Sequence, residues 1–218
     1  MKNENLIFGI AAFLILAAAT MKLLHLPYAD FGELIYKLVF VGAFVYLALI
    51  NKQLKKKLKK IITSLIKKIQ LPNTTFVHRD FHVSNLMIKK NKISVIDSQD
   101  AVYGNIAYDL ASLIDDVRLK TSKNIKEMIY QSYLNLNKKK IKKIKFKNDF
   151  EILSVLRNLK IIGIFTRLAT RDKKKKYLKL IPYAWNLIEL RLKNNVIFKD
   201  LKYCLDVNFS KKIRLLIN

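Results

Sequence analysis

Two long hydrophobic runs dominate the first fifty positions. Residues 6–20 contain no charged side chain, and residues 34–50 contain only Lys37. With their flanking residues, both runs approach the ~20 apolar positions that a membrane-spanning helix needs. A turn around residues 27–33 separates them. The pattern predicts a transmembrane helical hairpin over residues 1–51, and the alternative is a pair of helices buried in a soluble core.

The next segment, residues 52–72, combines lysines with regularly spaced apolar positions. Its apolar residues recur every three or four positions, which predicts one apolar stripe on a helix: Leu54, Leu58, Ile61, Ile62, Leu65, Ile66 and Ile69. Because the lysines follow the second run, both hairpin ends should face the cytoplasm. This basic helix lies on an anionic leaflet or packs on the following domain. We favour packing, since the stripe leads directly into a turn and a strand.

Residues 73–218 alternate short apolar runs with helical patterns, which predicts an α+β fold that is mostly α. Residues 74–77 form a predicted strand, and residues 86–88 and 93–96 a predicted β-hairpin around a polar turn. Most of the rest is helical, with a solvated lysine-rich loop at 138–147, and the last twenty residues are ambiguous. The predicted helices span residues 108–119, 124–136, 150–168 and 181–192.

Three oxygen-bearing side chains stand in and just after the loop that follows the first strand. Asp80 and Asn85 are five residues apart, and Asp97 follows the second strand of the hairpin. The spacing is that of the H-R-D-x-x-x-x-N loop of kinases, in which the Asp orients the acceptor hydroxyl and the Asn binds Mg²⁺. We predict Asp80 as the catalytic carboxylate and Asn85 and Asp97 as magnesium ligands, since Mg²⁺ prefers hard oxygen donors. The alternatives are a solvated loop carboxylate, a turn former and a capping residue, respectively.

These motifs together resemble a known family of kinases. They are His78–Asn85, Val95–Asp100, Tyr108–Leu110, and further on Gly163–Leu168 with Asp172, Tyr177–Leu178 and Ile181–Pro182. The chain is similar to the aminoglycoside phosphotransferase and choline kinase superfamily. Within it, the chain looks most like bacterial cell-wall kinases that phosphorylate the anomeric hydroxyl of N-acetylmuramate and N-acetylglucosamine. The resemblance covers roughly residues 55–218 and only the C-terminal lobe of such a kinase.

The resemblance implies a reaction and further site residues. A kinase-like C-lobe over residues 73–218 would phosphorylate an amino-sugar hydroxyl with Mg²⁺ and ATP. His78, Arg79 and Asp109 would support the catalytic loop, with Asp109 beneath it and out of contact with substrate. Asp100 and His82 are possible substrate contacts, and Asp100 is equally interpretable as a helix cap. A zinc pair of His78 and His82 is disfavoured, because they stand in a strand and loop and lack the H-E-x-x-H pattern.

The parts of a kinase N-lobe are not recognisable in the sequence. The chain has only five Gly and no Gly-rich loop, and two apolar runs occupy the positions ahead of residue 54. We therefore expect impaired activity, unless a separate chain supplies the N-lobe. One alternative is an inactive pseudokinase that binds a sugar or a partner. The other is a membrane-associated basic protein that binds anionic lipid or RNA.

Composition changes this picture little. The formal net charge is +26, from 42 Lys and Arg against 16 Asp and Glu. The lysines are spread through the chain, so we interpret them as solvated surfaces and do not expect nucleic acid as a partner. Membrane lipid, contacted through the hairpin, and a small sugar are the expected partners. The expected location is the inner membrane, with the kinase-like domain in the cytoplasm. A lone Cys204 excludes an intramolecular disulfide and is expected in the core.

Overall fold

The computed structural model describes residues 51–138, 141–193 and 195–215. The chain divides into two compact units, residues 1–57 and 58–218. The predicted hairpin over residues 1–51 lies outside the described residues except for its last position. Among the helices of the described ranges, none is both long enough and apolar enough to span a membrane.

Helices make up most of the second unit, in agreement with the predicted α+β, mostly α class. Residues 51–67 are helical, and we call their part within the second unit, residues 58–67, α1. The strands follow as β1 (Thr75–Val77), β2 (Leu86–Lys89), β3 (Lys92–Val95) and β4 (Val102–Gly104). The later helices are α2 (Tyr108–Ile114), α3 (Lys123–Leu136), α4 (Lys143–Thr170), α5 (Ile181–Leu192), α6 (Lys199–Asn208) and α7 (Lys211–Leu215). Short 3₁₀ helices span Val83–Asn85, Lys175–Leu180 and Val196–Phe198.

The amphipathic stripe of α1 packs on the domain, as favoured from the sequence. Leu65 is buried, and Leu58, Ile61 and Ile69 pack against the same core. That core joins α1, α4, α5 and α6, with Trp185 and Phe198 among its large side chains. Burial of apolar area, at about 25 cal/mol per Å², is the main force that holds these helices together.

The four strands form two separate antiparallel pairs. The predicted hairpin is β2 with β3, in which Leu86 pairs with Val95 and Lys89 with Lys92. Its two-residue turn has positive φ at Lys90 (46°) and Asn91 (60°), as a tight hairpin of primed turn type requires. The second pair, β1 with β4, was not predicted. Gly104 of β4 lies so close to Val77 that an added Cβ would stand 3.0 Å from Val77 Cγ2.

Two predicted boundaries are wrong. The helix expected over 108–119 ends at Ile114. The backbone leaves the helical conformation there, because the Asp115 and Asp116 carboxylates turn inward and accept hydrogen bonds from Lys126 and from the Val83 N–H. The loop expected over 138–147 ends early, because α4 already begins at Lys143. Phe146 in its first turn is fully buried in a second core with Tyr130, Tyr133 and Phe150. Cys204 is a free, buried thiol, as expected.

Candidate active site

A single carboxylate anchors the start of the loop that follows β1. Asp109, in the first turn of α2, accepts hydrogen bonds from the backbone N–H of His78 (2.7 Å) and of Arg79 (3.1 Å). Arg79 adopts a left-handed φ of 72°, so the chain turns sharply there. Burial raises the pKa of Asp109, and the two backbone donors only partly oppose that rise. Asp109 therefore contacts the loop where a supporting residue was predicted.

Asn85 closes the same loop on Asp80. The Asn85 side-chain amide donates to the Asp80 carbonyl at 2.9 Å, and the His82 N–H donates to the same oxygen at 3.0 Å. Asn85 is buried in the 3₁₀ turn, whereas Asp80 is partly exposed. With its amide nitrogen engaged, Asn85 has its amide oxygen left as the donor atom for a metal.

The β-hairpin brings Asp97 next to this loop. The Ile96 N–H donates to the Asn85 carbonyl at 3.0 Å, which extends the β2–β3 ladder by one residue. Asp97 follows at once, with a left-handed φ of 68° and an exposed side chain. Among the described residues no cluster of three or more His, Cys, Asp or Glu is arranged to hold a metal. The predicted pair combines one Asp with one Asn, so its role as a magnesium site stays a prediction.

The remaining predicted residues border the loop on different sides. His78 is buried with Nε2 3.0 Å from the Ile96 carbonyl, so it joins the loop to the hairpin. Arg79 donates from Nη1 to the Asp100 carbonyl at 3.2 Å, while the Asp100 side chain is exposed. His82 is also buried, and its pKa is lowered by burial first and by Arg118 second. These geometries leave the substrate roles of Asp100 and His82 as predictions.

Residues 10–142, more than half of the chain, match the profile of a family described as the phosphotransferase enzyme family. The chain belongs to this family. The matched residues overlap most of the segment in which the sequence predicts the transmembrane hairpin. The sequence resemblance to phosphotransferases is therefore correct, although the match begins well ahead of residue 55.

Curated relatives of this chain carry one name, N-acetylmuramate/N-acetylglucosamine kinase. The relative from Neisseria meningitidis serogroup B is 33% identical over 135 residues, which are 60% of this chain and 40% of the relative. The relative from Caulobacter vibrioides is 32% identical over 122 residues, 54% of this chain and 33% of the relative. The relative from Pseudomonas aeruginosa is 32% identical over 140 residues, 60% and 40% respectively. The chain thus spans about two fifths or less of the relatives it matches.

Two acidic residues that support the candidate site were not singled out from the sequence. Asp116 accepts from the Val83 N–H at 3.2 Å and so fixes the middle of the loop that follows β1. Asp149 of α4 accepts from the Leu71 N–H and from Asn105 Nδ2, both at 2.8 Å, and so anchors the chain ahead of β1. The available signal was a carboxylate directly before an apolar residue, Val117 after Asp116 and Phe150 after Asp149, since charges in such positions are buried only with partners.

Arg157 of α4 is the basic residue of this region that the sequence did not indicate. It is only 6% exposed, and the charges of Asp116 and Asp80 act on it through space. Its signal in sequence is weak, because arginines in helices usually face solvent.

Proposed function

We propose that this chain carries the catalytic loop of an Mg²⁺- and ATP-dependent phosphotransferase that acts on an amino-sugar hydroxyl. The observation that carries the proposal is the pair of hydrogen bonds by which Asn85 joins the loop after β1 to the end of β3. Its side chain donates to the Asp80 carbonyl and its own carbonyl accepts from the Ile96 N–H, so hydrogen bonds join Asp80 and Asn85 to the residue that precedes Asp97. The relatives' name supports N-acetylmuramate or N-acetylglucosamine as the acceptor.

The proposed chemistry requires little covalent work from the protein. Asp80 holds the acceptor hydroxyl in line with the terminal phosphate and receives its proton. The sugar oxygen forms the new P–O bond as the bond to ADP breaks. Asn85 and Asp97 would hold magnesium, which neutralises charge on the phosphates when bound; the amide and carboxylate oxygens fit that hard cation. Asp109, His78 and Arg79 would keep the Asp80 backbone fixed by the contacts described above.

We further propose that the chain by itself transfers phosphate slowly. Only five Gly occur in the chain, and its sequence contains no recognisable Gly-rich motif of the kind that covers nucleotide phosphates. Electrostatic stabilisation of those phosphates accounts for much of the rate in this reaction class. A separate polypeptide that supplies such a loop would raise the rate.

The test is Asp80→Asn in the full chain. Purified protein is incubated with Mg-ATP and either N-acetylmuramate or N-acetylglucosamine, and the sugar phosphate is measured by ³¹P NMR. We expect kcat to fall by about 10²–10⁴-fold in the variant, because the sugar hydroxyl loses the carboxylate that receives its proton. Asp172→Asn, at an exposed ion pair with Arg171, is the matched control and should retain the wild-type rate.

Two outcomes would reject the transferase proposal. Equal rates in the Asp80→Asn and wild-type chains would remove Asp80 from the chemistry. Sugar binding without any product in the wild-type chain would instead favour the alternative of an inactive sugar-binding module.

A further inference from the structure

A cavity of about 390 Å³ lies beside the catalytic loop, within the second unit. Apolar side chains of α1, β1 and α4 form much of its wall. Its charged lining residues are Arg79, Arg157 and Lys160, and no Asp or Glu is among the described residues that line it. The volume falls within the range of small-molecule sites, about 300–1,000 Å³. The cavity is therefore large enough for a ligand and carries charge of one sign.

The deepest of these cations lacks a partner. Arg157 is 6% exposed, and its Nη1 is buried without a hydrogen-bond partner. Burial lowers the pKa of this guanidinium, with Tyr108 the largest opposing influence. Asp116 and Asp80 attract this charge only through space. A buried charge without a direct ion pair is costly to the folded state. A water molecule could satisfy the hydrogen bond but would not compensate the charge.

Other buried cations of the same domain are paired, which sets Arg157 apart. Lys126 and Arg191 share the buried Asp115 carboxylate at 3.0 and 2.9 Å. Arg214 contacts Glu189 and Asp206, both at 2.7 Å. A second cavity, of about 400 Å³, is lined by Lys126 and Arg191 together with Glu127 and Glu151, so its charges are mixed. Of these two cavities, only the one at Arg157 has a buried donor without a hydrogen-bond partner and no Asp or Glu among its described lining residues.

We propose that this cavity binds the phosphate or carboxylate head group of a small organic anion. Arg157 binds the head group from the inside, while Arg79 and Lys160 contact it from the rim. The apolar wall, with Val77, Leu153 and Tyr108, accommodates an apolar or aromatic body. Charge-assisted hydrogen bonds from guanidinium to oxyanion are among the strongest in proteins. The proposal does not depend on phosphate transfer by Asp80.

An anion bound in this cavity would also affect the segment that follows the β2–β3 hairpin. Arg79 Nη1 donates to the Asp100 carbonyl, three residues after Asp97. An anion that engages Arg79 would therefore act on the same side chain that fixes the segment after Asp97.

Phenyl phosphate is a suitable probe, because it combines an oxyanion with an aromatic body. It is titrated into the full chain without nucleotide or magnesium, and binding is followed by isothermal titration calorimetry. Inorganic phosphate and benzoate distinguish the two head groups, and phenol is the uncharged control. We expect saturable binding of phenyl phosphate or benzoate, weaker binding of inorganic phosphate, and none of phenol.

Variants separate this site from general attraction to a basic protein. Arg157→Met should weaken binding by about tenfold or more, as loss of a hydrogen bond to a charged group does. Lys160→Gln should weaken it less, since Lys160 is exposed. Lys202→Gln, an exposed lysine of α6, is the matched charge control and should not change affinity. Asp80→Asn should bind phenyl phosphate at least as well as wild type, because it removes a negative charge that acts on Arg157. Failure of the kinase proposal therefore leaves this result intact.

A thermal melt of the unliganded proteins tests whether Arg157 is only structural. Because Arg157 is buried with Nη1 unbonded and forms no direct ion pair among the described residues, Arg157→Met should leave the melting temperature equal to or above that of wild type. A lower melting temperature together with unchanged affinity, or no saturable binding to wild type, would overturn the proposal. Should Arg157→Met fail to fold, Arg157→Lys and Lys160→Gln carry the same comparison, and wild-type affinity in both would overturn it.

Discussion

Asp115 is the residue on which the buried polar interior of the domain converges. Its carboxylate accepts from Lys126 (3.0 Å), Arg191 (2.9 Å) and Ser154 (2.5 Å). Burial by itself would raise its pKa, but Arg191 and the other two donors outweigh burial and hold the pKa below the usual range. These contacts join α3, α4 and α5 just after the end of α2.

We predict that Asp115→Asn lowers the free energy of unfolding at pH 7 by about 3–5 kcal/mol, since it leaves two buried cations uncompensated. Because the folded pKa is depressed, the ionised carboxylate stabilises the fold above its unfolded pKa of about 3.9, and that contribution is lost as pH falls through the folded pKa. The difference in the free energy of unfolding between wild type and variant should thus become smaller below about pH 4. Urea unfolding of wild type and variant at pH 7 and below about pH 4 measures this difference in the free energy of unfolding.

The control for this prediction is Asp172→Asn, whose ion pair with Arg171 is exposed to solvent. It should unfold like wild type at either pH, because exposed pairs contribute little. A gap that stayed constant from neutral to acidic pH would contradict the assignment of the loss to an ionised Asp115.

Residue spacing indicated the loop that we propose as catalytic, but not the residues that support it. Asp80, Asn85 and Asp97 are close in sequence, so their common neighbourhood was predictable from one strand, one loop and one hairpin. Asp115 meets Arg191 across 76 residues and Asp149 meets Leu71 across 78. Such contacts depend on how distant helices pack, which no local pattern encodes. The same limit hid Arg157, whose burial follows from the packing of α4.

At the scale of elements, the first turn of α4 shows how burial overrides local composition. Four lysines between positions 142 and 147 led to the prediction of a solvated loop. Yet Phe146 is 0% exposed and stacks with Tyr133 and Phe150, so this turn is helical because its aromatic side chain is in the core. β4 escaped prediction for the opposite reason, since three residues carry too little pattern to stand out.

Phe146→Ala should lower the free energy of unfolding by about 3–5 kcal/mol, because it leaves a cavity in the aromatic cluster. Ile144→Ala in the same turn is the matched control: Ile144 is 86% exposed, so its change should stay within about 0.5 kcal/mol. Chemical unfolding followed by circular dichroism compares the two. Equal losses of unfolding free energy in the two variants would mean that the core does not hold this turn, as expected for a solvated loop.

At the scale of the whole molecule, the arrangement of charge is the dominant feature. Part of the small acidic complement is buried, namely Asp115, Asp116 and Asp149. Most lysines in the described ranges are exposed, so the surface is more basic than composition alone implies. Such a surface attracts anionic lipid and RNA alike at low salt. The salt dependence of binding therefore does not by itself identify a partner.

We propose that residues 1–51 anchor the chain in the inner membrane with the phosphotransferase domain in the cytoplasm, and vesicle flotation tests the anchor. With phosphatidylcholine vesicles that contain phosphatidylglycerol, the full chain should stay bound at about 1 M salt, where the Debye length is about 3 Å. Leu14→Arg with Val41→Arg should release it, since each charge at the centre of a spanning helix costs about 2.5–3.5 kcal/mol. Lys202→Gln with Lys212→Gln should stay bound. Complete release of the unaltered chain by salt would instead assign membrane binding to its lysines, and the anchor would be wrong.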